Sequence, residues 1–128
     1  MSVLKNTTLH IVGAYREQFN ILLAASLPCG PIYKSDGFAA HIKKRHPGYE
    51  AYIDRIPEII AFPDFIGRNP KEPDSIELIK VFSENIQIAV KLDQKRGYLY
   101  VASLYDVKRS KVERRLAGGR LVKYEESC

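Results

Sequence analysis

Residues 75–107, "SIELIKVFSENIQIAVKLDQKRGYLYVASLYDV", decide the fold. Three segments in this stretch are rich in β-branched and aromatic residues, "SIELIKVF", "IQIAVKLD" and "YLYVASLYDV", and the short polar breaks "SEN" and "QKRG" between them read as hairpin turns. Together they predict an antiparallel meander. Because side chains alternate between the two faces of a strand, Ile76, Leu78, Lys80 and Phe82 share one face, as do Ile88, Val90 and Leu92. Lys80 therefore falls on a largely apolar face, where an ammonium group is costly unless it reaches a cleft. Lys91 falls on the opposite face of its strand, with Ala89 and Gln87. In the third strand the alternation groups Leu99, Val101, Ser103 and Tyr105, and so places Ser103 and Tyr105 together near the strand's end, where functional groups are displayed.

Outward from the meander, "SKVERRL" predicts a short basic helix: Ser110 and Glu113 have capping-box spacing, and Gly118 and Gly119 stop it. On the other side, "FPDFIGRNPKEPD" (62–74) holds three prolines and a glycine, a composition that reads as an ordered loop and excludes a helix or a central strand. Before it, Tyr49, Tyr52, Ile53 and Ile56 have the three- and four-residue spacing of a buried helix face, kinked or restarted at Pro57. A further helix runs from an N-cap at Ser35 or Asp36 to about Arg45, with Phe38, Ala39 and Ile42 inward, and Pro47 ends it. "LHIVGAY" alternates as a strand, whereas "FNILLAASLPCGPIY" is open between a second strand and a short buried helix. The expected architecture is α+β in one domain, residues 1–128, with the helices first and the sheet after.

The chain has 128 residues, 45% hydrophobic and 27% charged, enough to bury a core and unlike a disordered composition. Its longest apolar run, Ile21 to Ala25, is far short of the roughly 20 residues of a membrane span. With no basic region leading into a signal-type core, the expectation is a cytoplasmic protein without membrane attachment. The cysteines, Cys29 and Cys128, form neither a disulfide framework nor paired metal-ligand spacing, so structural zinc is not expected. The net charge of +5 favours an acidic partner. Lysine and arginine crowd into 42–45 and 108–120, whereas the acids are scattered.

The densest of these crowds is "HIKKRHPGYE", residues 41–50, with two histidines and three cations in six positions. Like charges on neighbouring helix positions repel, so an anionic ligand would account for the accumulation. Histidine suits proton transfer because its unperturbed pKa is about 6.5. His46 lies where the helix meets Pro47 and Gly48, which keeps its ring accessible; the alternative is that it only hydrogen-bonds a helix-terminal carbonyl. His41, about 140° around an ideal helix from His46, is a second candidate. Lys43, Lys44 and Arg45 fan round the helix, so one or two of them face a site at His46 while the rest meet solvent or distant phosphates. His10 reads as structural.

The order "HIKKRHPGY", "IPEII", "FPDFIGRNP", "VASLYDV" and "KVERRL" resembles the phage-associated branch of the barnase, EndoU, colicin and RelE-like nucleases, over roughly residues 30–120. The most specific features are His46-Pro47, Pro63-Asp64 with Ile66 and Gly67, and Ser103 with Tyr105. The resemblance implies N-terminal helices packed on a curved antiparallel sheet, and RNA cleavage without a metal ion or other cofactor. Such cleavage needs a base for the 2′-hydroxyl, an acid for the leaving oxygen and cations around the phosphate. On this basis His46, Tyr105, Ser103, Lys80 and His41 are the catalytic candidates. Lys43, Lys44, Arg68, Lys91, Arg109, Arg114 and Arg115 are candidates for holding RNA. Tyr105 offers either a hydroxyl donor or a stacking surface, and Asp64 either orients a histidine or caps a turn. The glutamate and histidine pair of the best-known secreted members is not found, so the assignment of base and acid stays open among His46, His41, Tyr105 and a lysine.

The leading expectation is a metal-independent endoribonuclease acting as a toxin or effector, with RNA as substrate and an acidic inhibitor or immunity protein as partner. The alternatives are a catalytically inactive RNA-binding or regulatory module of the same fold, and an interaction protein whose basic surface docks an acidic partner. Oligomeric state and the RNA attacked are not legible.

Overall fold

The computed structural model describes residues 8–124, so Cys128 lies outside the described residues. Within them the chain is α+β. One seven-stranded sheet has the order β1-β2-β6-β5-β4-β3-β7, with β1 Leu9–Tyr15, β2 Gly30–Ser35, β3 Phe65–Gly67, β4 Ser75–Val81, β5 Asn85–Leu92, β6 Leu99–Asp106 and β7 Leu121–Lys123. Every pairing is antiparallel except β2 with β6, a short parallel contact at Ile32↔Leu99 and Tyr33↔Tyr100. The helices are α1 Glu17–Leu23, α2 Phe38–Arg45, α3 Ile56–Ala61 and α4 Arg109–Ala117, with a 3-10 turn over Glu50–Arg55 leading into α3.

The meander of β4, β5 and β6 forms where it is expected, and Asp93 caps its second turn by accepting from the Lys95 and Arg96 amides. Elsewhere the order of elements, the proline-rich loop and the helix caps need correction. The helices do not precede the sheet, because β1 and β2 belong to it; "FNILLAASLPCGPIY" contributes both α1 and β2. The left-handed Ala24 ends α1, and the Asn20 side chain then holds both the N–H and the C=O of Leu27. The proline-rich loop contains β3, a three-residue strand between Pro63 and Pro70 that pairs with both β4 and β7. Its prolines interrupt no ladder because they stand outside it. Finally, neither expected cap forms: α2 has Gly37 at its N-cap, since Asp36 pairs with His10 instead, and α4 has Lys108 at its N-cap, which leaves Ser110 inside the helix and Glu113 paired with Arg109.

One face of the sheet is covered by α1, α2 and α3. Phe19, Ile42, Ile56, Ile59 and Ile60 meet Ile32, Ile76, Leu78, Ile88, Val90, Val101 and Leu104 there as one buried core. Each such side chain contributes about 1.5–3 kcal/mol on removal from water. Arg16 fastens the end of α3 to this layer by donating to the carbonyls of Ile60 and Ala61 and to the Tyr124 hydroxyl. The opposite face carries a smaller cluster, Ile79, Val107, Val112 and Leu121, under α4.

A bulge in β6 separates the two. Ala89 pairs with Ser103 but the next residue, Val90, pairs with Val101, which leaves Ala102 unpaired. Regular alternation would put Leu99, Val101, Ser103 and Tyr105 on one face. The extra residue keeps Leu99, Val101 and Leu104 in the main core and turns Ser103 and Tyr105 to the face with α4. Ser103 and Tyr105 thus stay together, but on the opposite side from Leu99 and Val101.

Candidate functional site

The α4 face of the sheet gathers polar side chains that the strands' apolar character conceals. Glu77 on β4 is followed in space by Gln87 on β5 and Tyr105 on β6, since Gln87 pairs directly with Tyr105. Glu77 is 6% exposed and Gln87 1%. Gln87 Nε2 donates to Tyr105 Oη at 3.0 Å, and Arg115 Nη1, from α4, donates to Gln87 Oε1 at 3.1 Å. The same Arg115 nitrogen stands 3.8 Å from Glu77 Oε1, while Arg120 Nη2 donates to Glu77 Oε2 at 2.8 Å. Glu77 Oε1 accepts no hydrogen bond among the described residues, so its contact with Arg115 is one of charge alone.

His46 reaches this face round the end of the sheet. Pairing between β2 and β6 stops at Tyr33↔Tyr100, and α2 also contacts β6. As the C-cap residue of α2, His46 leaves helical geometry (φ −138°, ψ 66°) ahead of Pro47, and its ring stacks on Tyr105 with centroids 4.9 Å apart and planes 25° from parallel. His46 and Tyr105 are both half-buried. Beside them a groove of about 350 Å³ is lined by Tyr105, Asp106, Val107, Lys108, Ser110, Lys111 and Arg114, three cations against one carboxylate.

Tyr49 completes this end of the molecule. Its amide donates to the His46 carbonyl at 3.3 Å, and its hydroxyl donates to Glu84 at 3.3 Å. Hydrogen bonding to the Asp106 carboxylate, then desolvation and the charges of Asp106 and Glu84, push its phenol up to about 12, so Tyr49 stays protonated beside His46.

Of the expected catalytic candidates, His46 and Tyr105 come together on this face, and Ser103 lies on the same face two residues before Tyr105. His41 is exposed, with its ring toward Phe38 at 6.3 Å between centroids. Lys80 is on the other face, opposite Ile86, where its ammonium donates to the Phe62 carbonyl at 2.8 Å. Among the expected RNA-holding residues, Arg114 lines the groove and Lys43 and Lys44 are exposed in the last turn of α2, just ahead of His46. The others are engaged elsewhere. Arg115 turns inward to Gln87 and Glu77, Lys91 pairs with Glu72, Arg109 with Glu113, and Arg68 holds the Ala24 carbonyl. Asp64 accepts from the Val81 amide at the end of β4, a contact between distant segments that is neither of its two expected roles. No three His, Cys, Asp or Glu side chains among the described residues are arranged to hold a metal ion.

Glu77, Gln87, Arg120 and Tyr49 were not among the expected site residues. A polar residue alternating with apolar ones reads as solvent-facing, and only the approach of α4 and its arginines shows that this face is covered. The one available signal was pairing in number: two carboxamide or carboxylate side chains on neighbouring strands, followed by an arginine-rich helix.

An antiparallel-dominated α+β sheet with a polar, cation-rimmed centre on one face defines the class as a small basic sheet protein with a site on the side away from its main core. More narrowly, the chain belongs to the phage-Barnase-EndoU-ColicinE5/D-RelE like nuclease 3 family, whose model matches residues 10–114. It is thereby a nuclease of the barnase, EndoU, colicin and RelE-like type. No curated protein and no solved structure gives a significant match to it.

Proposed function

We propose that this nuclease is an endoribonuclease that needs no metal ion and cleaves RNA through the substrate's own 2′-hydroxyl. The 2′-oxygen forms a bond to phosphorus as the bond to the 5′-oxygen breaks. One proton leaves the 2′-hydroxyl, one arrives at the 5′-oxygen, and a cyclic phosphate remains. His46 serves one of these transfers, Tyr105 faces the phosphate, and Ser103 lies beside it. Lys108, Lys111 and Arg114 hold the RNA backbone, with Lys43 and Lys44 extending the cationic surface past His46.

The observation that carries this reading is the stack of His46 on Tyr105, half-open to solvent, next to a groove with three cations. Imidazole is the side chain best matched to proton transfer near neutral pH, and removing such a group lowers rates by about 10²–10⁴-fold. Purified protein is expected to cut RNA but not DNA in excess EDTA, with cyclic phosphate ends. His46→Ala should abolish cutting and keep RNA affinity. Loss of activity in EDTA, or equal cleavage of DNA, would overturn the mechanism. RNA that is bound but never cut would instead identify an inactive binding module.

As a toxin or effector, the protein would act on RNA inside a cell and would require an acidic inhibitor. Its expression should arrest bacterial growth, and His46→Ala should relieve the arrest; unimpaired growth on expression of active enzyme would remove the toxin role.

A further inference from the structure

The buried chain Arg120, Glu77, Arg115, Gln87, Tyr105 has a direction. A guanidinium carries only donors, so the end of the Gln87 carboxamide that meets Arg115 at 3.1 Å has to be its oxygen. The other end is then the NH₂ group, which stands 3.0 Å from Tyr105 Oη and can only donate. Turning the amide over would set NH₂ against guanidinium and leave a carboxamide oxygen facing the phenol. Arg115 is kept from swinging away by Glu77, which is fixed in turn by Arg120 at 2.8 Å. The Tyr105 oxygen is therefore committed as an acceptor toward Gln87, and no described protein group accepts its own hydrogen.

Tyr105 also lines the cationic groove, where an anionic oxygen is the acceptor that the surrounding charge favours. Resting on the ribonuclease reading, we infer that Gln87, Arg115 and Glu77 are positioning residues that hold Tyr105 as a one-way hydrogen-bond donor to a non-bridging oxygen of the reacting phosphate. Negative charge grows on that oxygen as the 2′-oxygen adds to phosphorus, so a donor fixed in advance acts most strongly at that stage. The phenol keeps its proton throughout and no bond to hydrogen breaks. Proton transfer remains with His46.

Gln87→Glu tests this with little change of shape. It exchanges the inward donor for a second acceptor, so that Tyr105 must give its hydrogen inward. It also adds one negative charge, so that Arg115 and Arg120 face two carboxylates in place of one. Single-turnover cleavage should slow by about tenfold or more with KM changed less than about twofold, a pattern that a general loosening of the fold would not give. In a Tyr105→Phe background the same substitution should alter the rate by less than about twofold, because both act through one hydroxyl. Gln87→Met, which keeps the volume without either hydrogen bond, should fall between wild type and Gln87→Glu. Wild-type rates for Gln87→Glu, or an equal loss in both backgrounds, would overturn the inference while leaving the nuclease reading intact. A wild type that cuts no RNA would instead fail that reading, and the inference, which concerns the reacting phosphate, would fall with it.

Discussion

Glu77 is the anion between two buried or half-buried guanidinium groups, and its loss leaves both without their counter-charge. Removing one partner of such a network costs about 3–5 kcal/mol; because Arg120 is nearly a third exposed, Glu77→Gln should sit near the lower end, measured by urea denaturation. Tyr49 gives a second test. Its phenol ionises near 12 in the folded protein against an ordinary value of 10.0, so above 10 the unfolded chain loses a proton that the folded chain keeps. Tyr49's contribution is therefore whole below pH 10 and is lost as pH climbs toward 12. Tyr49→Phe should flatten that part of the stability curve. At this scale His46 and Tyr105 were legible because each stands at an element's end. Gln87 and Glu77 were hidden, since whether a polar residue in an alternating strand is wet depends on what packs above it.

Gly67 decides whether the short strand β3 can exist. A Cβ there would come within 2.6 Å of the Arg120 carbonyl and 2.9 Å of Leu121 Cδ2, so β3 and β7 could no longer pair at their present separation. The Arg120 backbone cannot yield without moving the guanidinium on Glu77. Gly67→Ala should cost about 1–3 kcal/mol in thermal or chemical unfolding and should lower activity with it. The long strands of the meander and the α2 segment ending at Pro47 could be read from periodicity. The three-residue strands β3 and β7 could not, because neither is long enough to show a period and the prolines around β3 argued for a loop. The bulge at Ala102 was equally invisible, because only pairing with Ala89 and Val90 reveals it.

For the molecule as a whole the net charge is +5, but the cations are not interchangeable. Those on Lys91, Arg109 and Arg115 face carboxylates, whereas Lys108, Lys111 and Arg114 line the open groove. RNA affinity should therefore fall steeply with salt, and replacing Lys111 and Arg114 by glutamine should reduce the slope of log K against log salt by about one for each phosphate that is no longer neutralised. The same change at Arg109, whose charge is already met by Glu113, should leave the slope nearly unaltered. Filter binding across a salt series distinguishes the two. Sequence supplied the sign and amount of charge; which cations remain available is set by tertiary pairing, and no count of lysines and arginines contains it.

Ala102 has a consequence out of proportion to its single methyl group. With it, β6 spends one step without a neighbour, and odd and even positions trade sides for the remainder of the strand. Pair that residue regularly instead, and every later position would change sides: Leu104 would turn out toward the groove and Tyr105 into oil, with no side chain lost from the polypeptide. The stack with His46 thus rests on how one spare residue is absorbed as much as on either ring.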